Sequence, residues 1–208
     1  RGVDSESTRR VIRFEDGKLV TNEYHLSTWT LGEAFKKADE KGCVECAEFL
    51  LDTGLIGDFH IGEVFSMAAA HGRVEYMQKL LPLVDDSVKG AALLSAAASN
   101  KTESLEFLLS LPNLISNYKD AALRNTALAE QISTLEFLLD RINISDAVYA
   151  DVLKSAANAG QIQVLELLVA HSESQGGISD AVYANVLQSA ANAGQIQVLE
   201  LLVAHSES

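Results

Sequence analysis

The sequence predicts an all-α fold, a stack of about six two-helix repeats over residues 32–208 behind a short segment of residues 1–31. Three observations predict it. A long segment near the end is duplicated, a small turn residue returns at near-constant spacing along most of the chain, and only two prolines, Pro82 and Pro112, interrupt otherwise helix-compatible stretches.

The duplication is the strongest signal. Residues 144–174 recur at 178–208, altered only at Asp151/Asn185 and Lys154/Gln188, with Gln175-Gly176-Gly177 between the copies. Anchoring weaker copies on the residue that follows each first helix gives Gly42, Gly72, Asn100, Glu130, Gly160 and Gly194, with steps of 30, 28, 30, 30 and 34 residues. Helix-pair repeats that stack into solenoids have periods of this size.

The same register holds away from the anchors. Four residues before each stand Ala38, Ala68, Ala96, Thr126, Ala156 and Ala190, small enough for neighbouring helices to approach closely. Eight residues after stand Leu50, Leu80, Leu108, Leu138, Leu168 and Leu202, and five after stand Ala47, Met77, Leu105, Leu135, Leu165 and Leu199. Together they form one apolar stripe. Within the fifth unit Val148, Val152 and Ala156 with Tyr149 and Leu153 mark the inner face of a first helix, and Asp151, Lys154 and Asn158 the outer. Its second helix uses Ile162, Leu165, Leu168 and Val169 for its apolar side. Gly160 suits a left-handed turn and Asn100 tolerates one, whereas Glu130 does not, so that turn is expected to be built differently. A pair of this size cannot bury its stripe alone, and stacking on a neighbour is what completes the core.

Leu153-Lys154-Ser155-Ala156-Ala157-Asn158-Ala159-Gly160 followed by Val164-Leu165-Glu166-Leu167-Leu168 resembles the central stretch of the ankyrin repeat family. Phe65-Ser66-Met67-Ala68-Ala69-Ala70-His71-Gly72 is similar to the same element, and the resemblance covers about residues 32–208. The family's Thr-Pro-Leu-His start is replaced by Asp151-Val152-Leu153-Lys154 and Glu63-Val64-Phe65-Ser66, and four of the five steps are short. Compact loops are expected in place of the family's hairpin fingers between units.

Residues 11–24 read differently. Asp16-Gly17 between β-prone runs signals a hairpin, expected to cap the first helix pair with Trp29, just ahead of the first helix, as anchor.

Charge and composition narrow the partners. The net charge is -13, and after Arg141 the only basic residue is Lys154. Nucleic acid and anionic membrane, which need clustered cations, are poor partners for such a surface. No apolar run is long enough to cross a bilayer. Two cysteines, Cys43 and Cys46, make no disulfide framework, and their spacing is read as too short for a bridge, which favours a reducing, intracellular setting. Cys43-Val44-Glu45-Cys46 is nonetheless the one motif suggesting redox or metal chemistry; by register Cys46 takes a packing slot, and the packing reading is preferred. The histidines lack ligand spacing and read as loop residues, Asp85-Asp86 reads as a helix start, and neither a phosphate-binding glycine loop nor a cofactor motif is present, so no enzyme activity and no cofactor are expected.

The resemblance implies recognition of a folded protein by first helices and connectors. Candidate contacts are Lys36, Ser66, Arg124, Lys154 and Gln188, which share one varying slot, and the connector residues Asp58, Asp86 and Tyr118. The plain alternative for each is a solvated face. The functional expectation is a scaffold or adaptor, with use as a host-binding effector of an intracellular microbe implied by the family. A targeting arm of a larger enzyme, a self-associating array and a thiol oxidoreductase are the rival readings.

Overall fold

The computed structural model describes residues 7–15, 18–26, 28–41, 43–52, 58–112, 114, 116–174 and 177–206, with side chains described over most of residues 32–205. Strands β1 (Ser7–Glu15) and β2 (Lys18–Leu26) pair antiparallel, with Glu15 opposite Lys18. Twelve α-helices follow among the described residues: α1 (Thr28–Glu40), α2 (Val44–Asp52), α3 (Asp58–Ala70), α4 (Val74–Leu80), α5 (Asp86–Ala98), α6 (Thr102–Ser110), α7 (Ser116–Leu128), α8 (Ile132–Leu139), α9 (Asp146–Ala159), α10 (Ile162–Ser174), α11 (Asp180–Asn192) and α12 (Ile196–Ser206).

The helices pack in chain order. Each odd-numbered helix lies against its own even-numbered partner and against the next odd-numbered helix, and the second helices α8, α10 and α12 touch in sequence. Among the described residues no strand follows Leu26, and the connection after α4 includes one 3-10 turn, Leu81–Leu83.

The turn inside each pair explains the register. The residue after the anchor donates its amide to the small residue four before it: Arg73 to Ala68 at 2.9 Å, Lys101 to Ala96 at 2.9 Å, Gln131 to Thr126 at 2.9 Å, Gln161 to Ala156 at 3.0 Å and Gln195 to Ala190 at 2.9 Å. The anchors Gly72, Asn100, Gly160 and Gly194 take a left-handed conformation, which closes the helix in a Schellman-type turn. Glu130 adopts it too, at φ 54°, beside Asn100 at 53° and Gly160 at 73°. The expectation of a differently built turn at Glu130 is thus corrected. The surrounding packing imposes the same turn there, against the steric preference of a side chain with Cβ.

Three first helices start with ordinary side-chain caps, whereas α4, α6 and α8 have none. Asp85 accepts the amide of Val88 at 2.9 Å, and Ser145 and Ser179 accept those of Val148 and Val182.

Burial follows the two stripes. Leu80, Leu108, Leu138, Leu168 and Leu202 are buried, as are Met77, Leu105, Leu135 and Leu165, while Asp151, Lys154 and Asn158 are exposed.

Two further expectations about the amino-terminal end are corrected. Trp29 is the second residue of α1, which begins at Thr28, inside the segment 1–31 assigned to the leader. A hairpin cap over the first helix pair is not seen: Ala34 and Cys46, on the outward face of that pair, are exposed. The side chains of the strands and of Trp29 lie outside the described residues.

Candidate functional site

Lys36, Ser66, Arg124, Lys154 and Gln188 all stand six residues before the turn, on α1, α3, α7, α9 and α11, so they align along the row of first helices. Two of them bridge to the next unit. The Lys36 ammonium lies 3.0 Å from Glu33 and 2.5 Å from Glu63, and these carboxylates hold its pKa above the usual lysine value. Arg124 donates through Nε to Asp151 at 2.8 Å. Glu63 and Asp151 occupy the same slot, nine residues before their turns.

The only two differences between the duplicated units fall in these two slots. Asp151 becomes Asn185 and Lys154 becomes Gln188. By register Lys154 faces the neutral Asn185, so the ion pair of the preceding interface is not repeated there. Lys154 and Gln188 are exposed.

The connector candidates do not join this row. Asp86 opens α5 and binds Lys89 at 2.8 Å. The Tyr118 ring lies flat on α5, where a Cβ on Gly90 would come within 2.1 Å of it, so this tyrosine is engaged in helix packing. Asp58 begins α3, and its side chain lies outside the described residues.

The cysteine reading is corrected. Cys43 and Cys46 are joined by a disulfide, with Cα atoms 5.3 Å apart. Cys43 precedes the first residue of α2 and accepts the amide of Ala47, which leaves its side chain free to close on Cys46 one turn along. That Cα separation is ordinary for a bridge, so the argument from spacing to a reducing setting falls away. Cys46 is exposed and is not packed as its register slot suggests.

A polar seam that sequence reasoning missed runs along the turns. The side chain just after each of the last three turns reaches back to the preceding unit: Gln131 Nε2 donates to the Ala98 carbonyl at 2.9 Å, Gln161 to Leu128 at 3.0 Å and Gln195 to Asn158 at 3.4 Å. Arg73 fills this position in the second unit and pairs with Asp39. A long polar residue in this slot from the second unit onward was the available signal, and in the first unit the slot holds Cys43.

A cleft of about 620 Å³ opens between the loop after α8 and the starts of α9 and α11, lined by Arg141, Asn143, Asp146, Tyr149, His171 and Ser179 among others. The Tyr149 hydroxyl donates to the Leu168 carbonyl, and Tyr183 repeats the bond to Leu202. Burial pushes the Tyr149 phenol up to about 12, so it remains a donor at neutral pH. Four histidines read as loop residues lie in regular elements instead: His25 in β2, His60 in α3, His171 in α10 with its ring 6.1 Å from that of Tyr149, and His205 in α12, 3.5 Å from Glu173. No helix among the described residues is long and apolar enough to cross a membrane.

Comparison with family models, with curated proteins and with solved structures finds no match.

Proposed function

We propose that this chain is an ankyrin-like solenoid that works as a protein-interaction module, holding a folded partner along its row of first helices with no chemistry of its own. The supporting observation is the confinement of sequence change between two near-identical units to Asp151/Asn185 and Lys154/Gln188. Both differences lie on the outer side of first helices, where substitution leaves the core intact. A change from ion-paired Arg124 to solvent-facing Lys154 and Gln188 alters what the surface offers a partner and little else. The acidic chain disfavours nucleic acid and anionic membrane as that partner.

An intracellular location, including a host cytosol for a microbial effector, belongs to the same reading. There the Cys43–Cys46 pair would be held as a dithiol, which thiol labelling after rapid acid quenching reports. Affinity capture with mass spectrometry tests the function. The wild-type chain is compared with Ser66→Ala/Arg124→Ala/Lys154→Ala/Gln188→Ala and with Gln163→Ala/Glu166→Ala on the outside of α10. The expected result is a partner lost from the first variant and kept by the second. Identical captures from all three would rule out the row as the binding surface.

A further inference from the structure

The cleft beside α9 lies inside the array, built by residues of three successive helix pairs from Leu139 to Val182. Its volume of about 620 Å³ falls in the range of sites that enclose a ligand. The floor is apolar: Leu139 and Ile142 are buried, and Ile144, Ile178 and Val182 are half-buried. Flat groups make up the walls. Tyr149 and His171 stand with their rings 6.1 Å apart, and the Arg141 guanidinium lies 3.8 Å over the Phe137 ring. Phe137 is not one of the lining residues, so Arg141 turns toward the cleft the side that faces away from that ring.

The repeat register shows why space is left here. Gly90 stands ten residues before the turn of one unit and Tyr118 twelve before the turn of the next, and the Tyr118 ring lies against Gly90. Further along, the same two slots hold Ala150 and Val182, both of which line the cleft. Val182 supplies no ring, and the step between these units is 34 residues where the earlier steps are 28 or 30. A place that takes an aromatic ring at one interface is therefore unfilled at this one.

Charge selects a neutral occupant. Arg141 and His171 share the lining with Asp140 and Asp146, so neither an anion nor a cation meets a field of one sign. Ala150 stands one turn before Lys154 on the same side of α9, which makes the cleft continuous with the row of first helices.

We propose that the cleft is the anchor pocket of that row and takes one uncharged aromatic side chain, a tyrosine, phenylalanine or tryptophan projecting from the folded partner. The ring rests on the aliphatic floor with the Arg141 guanidinium against it, and aromatic anchors of this kind carry much of the binding at protein interfaces. This inference rests on the reading of the chain as a protein-interaction module.

Methyl NMR on the 208-residue chain tests it, with N-acetyl-tyrosinamide as the aromatic probe and N-acetyl-leucinamide as its aliphatic counterpart. The tyrosine derivative is expected to shift the methyls of Ile142, Ile144, Ile178 and Val182 saturably, and the leucine derivative to bind about fivefold more weakly. Arg141→Ala, at an exposed position, is expected to weaken the tyrosine derivative about fivefold and to leave the circular dichroism melt unchanged. No saturable shift at these methyls, equal binding of the two derivatives, or undiminished affinity in the folded Arg141→Ala variant would each overturn the proposal. In the affinity capture, Arg141→Ala is expected to lower recovery of the partner that the row variant loses, and full recovery would overturn the anchor role. The probe reads the cleft and the capture of the row variant reads the row, so a failure of one is seen apart from a failure of the other.

Discussion

The carboxylate of Asp39 on α1 is ion-paired with the guanidinium of Arg73, which follows the turn of the next helix pair. Asp39 stands in the slot that later units give to Ala69, Ala97, Ala127 and Ala157, and its side chain is 1% exposed. His71 adds a second partner at 2.5 Å. The first interface is therefore polar where the later ones are apolar.

That difference makes Arg73→Ala costly. It leaves a buried carboxylate without its guanidinium, and the expected loss is about 3 kcal/mol, at the lower end for a broken buried pair because Arg73 itself is partly exposed. Restoring the later units' alanine in Asp39→Ala/Arg73→Ala should recover much of it. A double-mutant cycle by urea unfolding measures this, and equal destabilisation by the single and double variants would show that Asp39 does not depend on Arg73.

Glu130 holds a positive φ at a site where four other units have glycine. Glu130→Gly should raise stability by about 1 kcal/mol, the left-handed penalty less the greater freedom of glycine when unfolded. The contact of Gln161 with the Glu130 carboxylate, at 3.4 Å, is too long to offset this. A lowered urea midpoint would contradict the account of that turn.

Leu165 and Leu199 occupy equivalent positions in the duplicated units, but Leu165 is covered on both sides and Leu199 on one. Leu165→Ala is expected to cost about 3–4 kcal/mol and Leu199→Ala roughly half of that. Equal costs would mean that Leu199 is packed as fully as Leu165.

Tyr149 sets an alkaline limit. Its folded pKa of about 12 lies above the usual value of about 10 for a free phenol, so the neutral hydroxyl is what the fold favours. The stability it contributes is complete below pH ~10 and is lost as pH rises toward ~12. Tyr149→Phe should lower stability by about 1 kcal/mol at pH 7 for the lost hydrogen bond and flatten part of the decline above pH ~10. An unchanged alkaline limb in the variant would assign that decline to other groups.

Much of the fold was legible in the sequence because it depends on local repetition. Small residues ahead of Gly72, Asn100, Gly160 and Gly194 are the acceptors of the turn amides, and the Leu stripe is the second-helix core. What escaped was set across units. Gln131 and Ala98 are 33 residues apart, and nothing local to either shows that one will bond the other. Glu130 was misjudged because its own steric preference points away from the turn that its neighbours impose. Cys43 and Cys46 were misjudged because spacing was weighed as if both lay inside a helix, while Cys43 stands just ahead of it. The shared slot of Lys36, Arg124 and Lys154 was legible, but the ion pairs of Lys36 and Arg124 with the following unit were not.

The central claim is that successive helix pairs, each sealing its neighbour, make up the core. Removing residues 175–208 deletes one whole pair and tests this directly by circular dichroism and urea unfolding. The shortened chain should keep the helix content of the remaining pairs and unfold cooperatively at a lower midpoint, because stability in a stacked array is shared between neighbours. Collapse of helix content throughout the chain would contradict stacking and point to a single indivisible core.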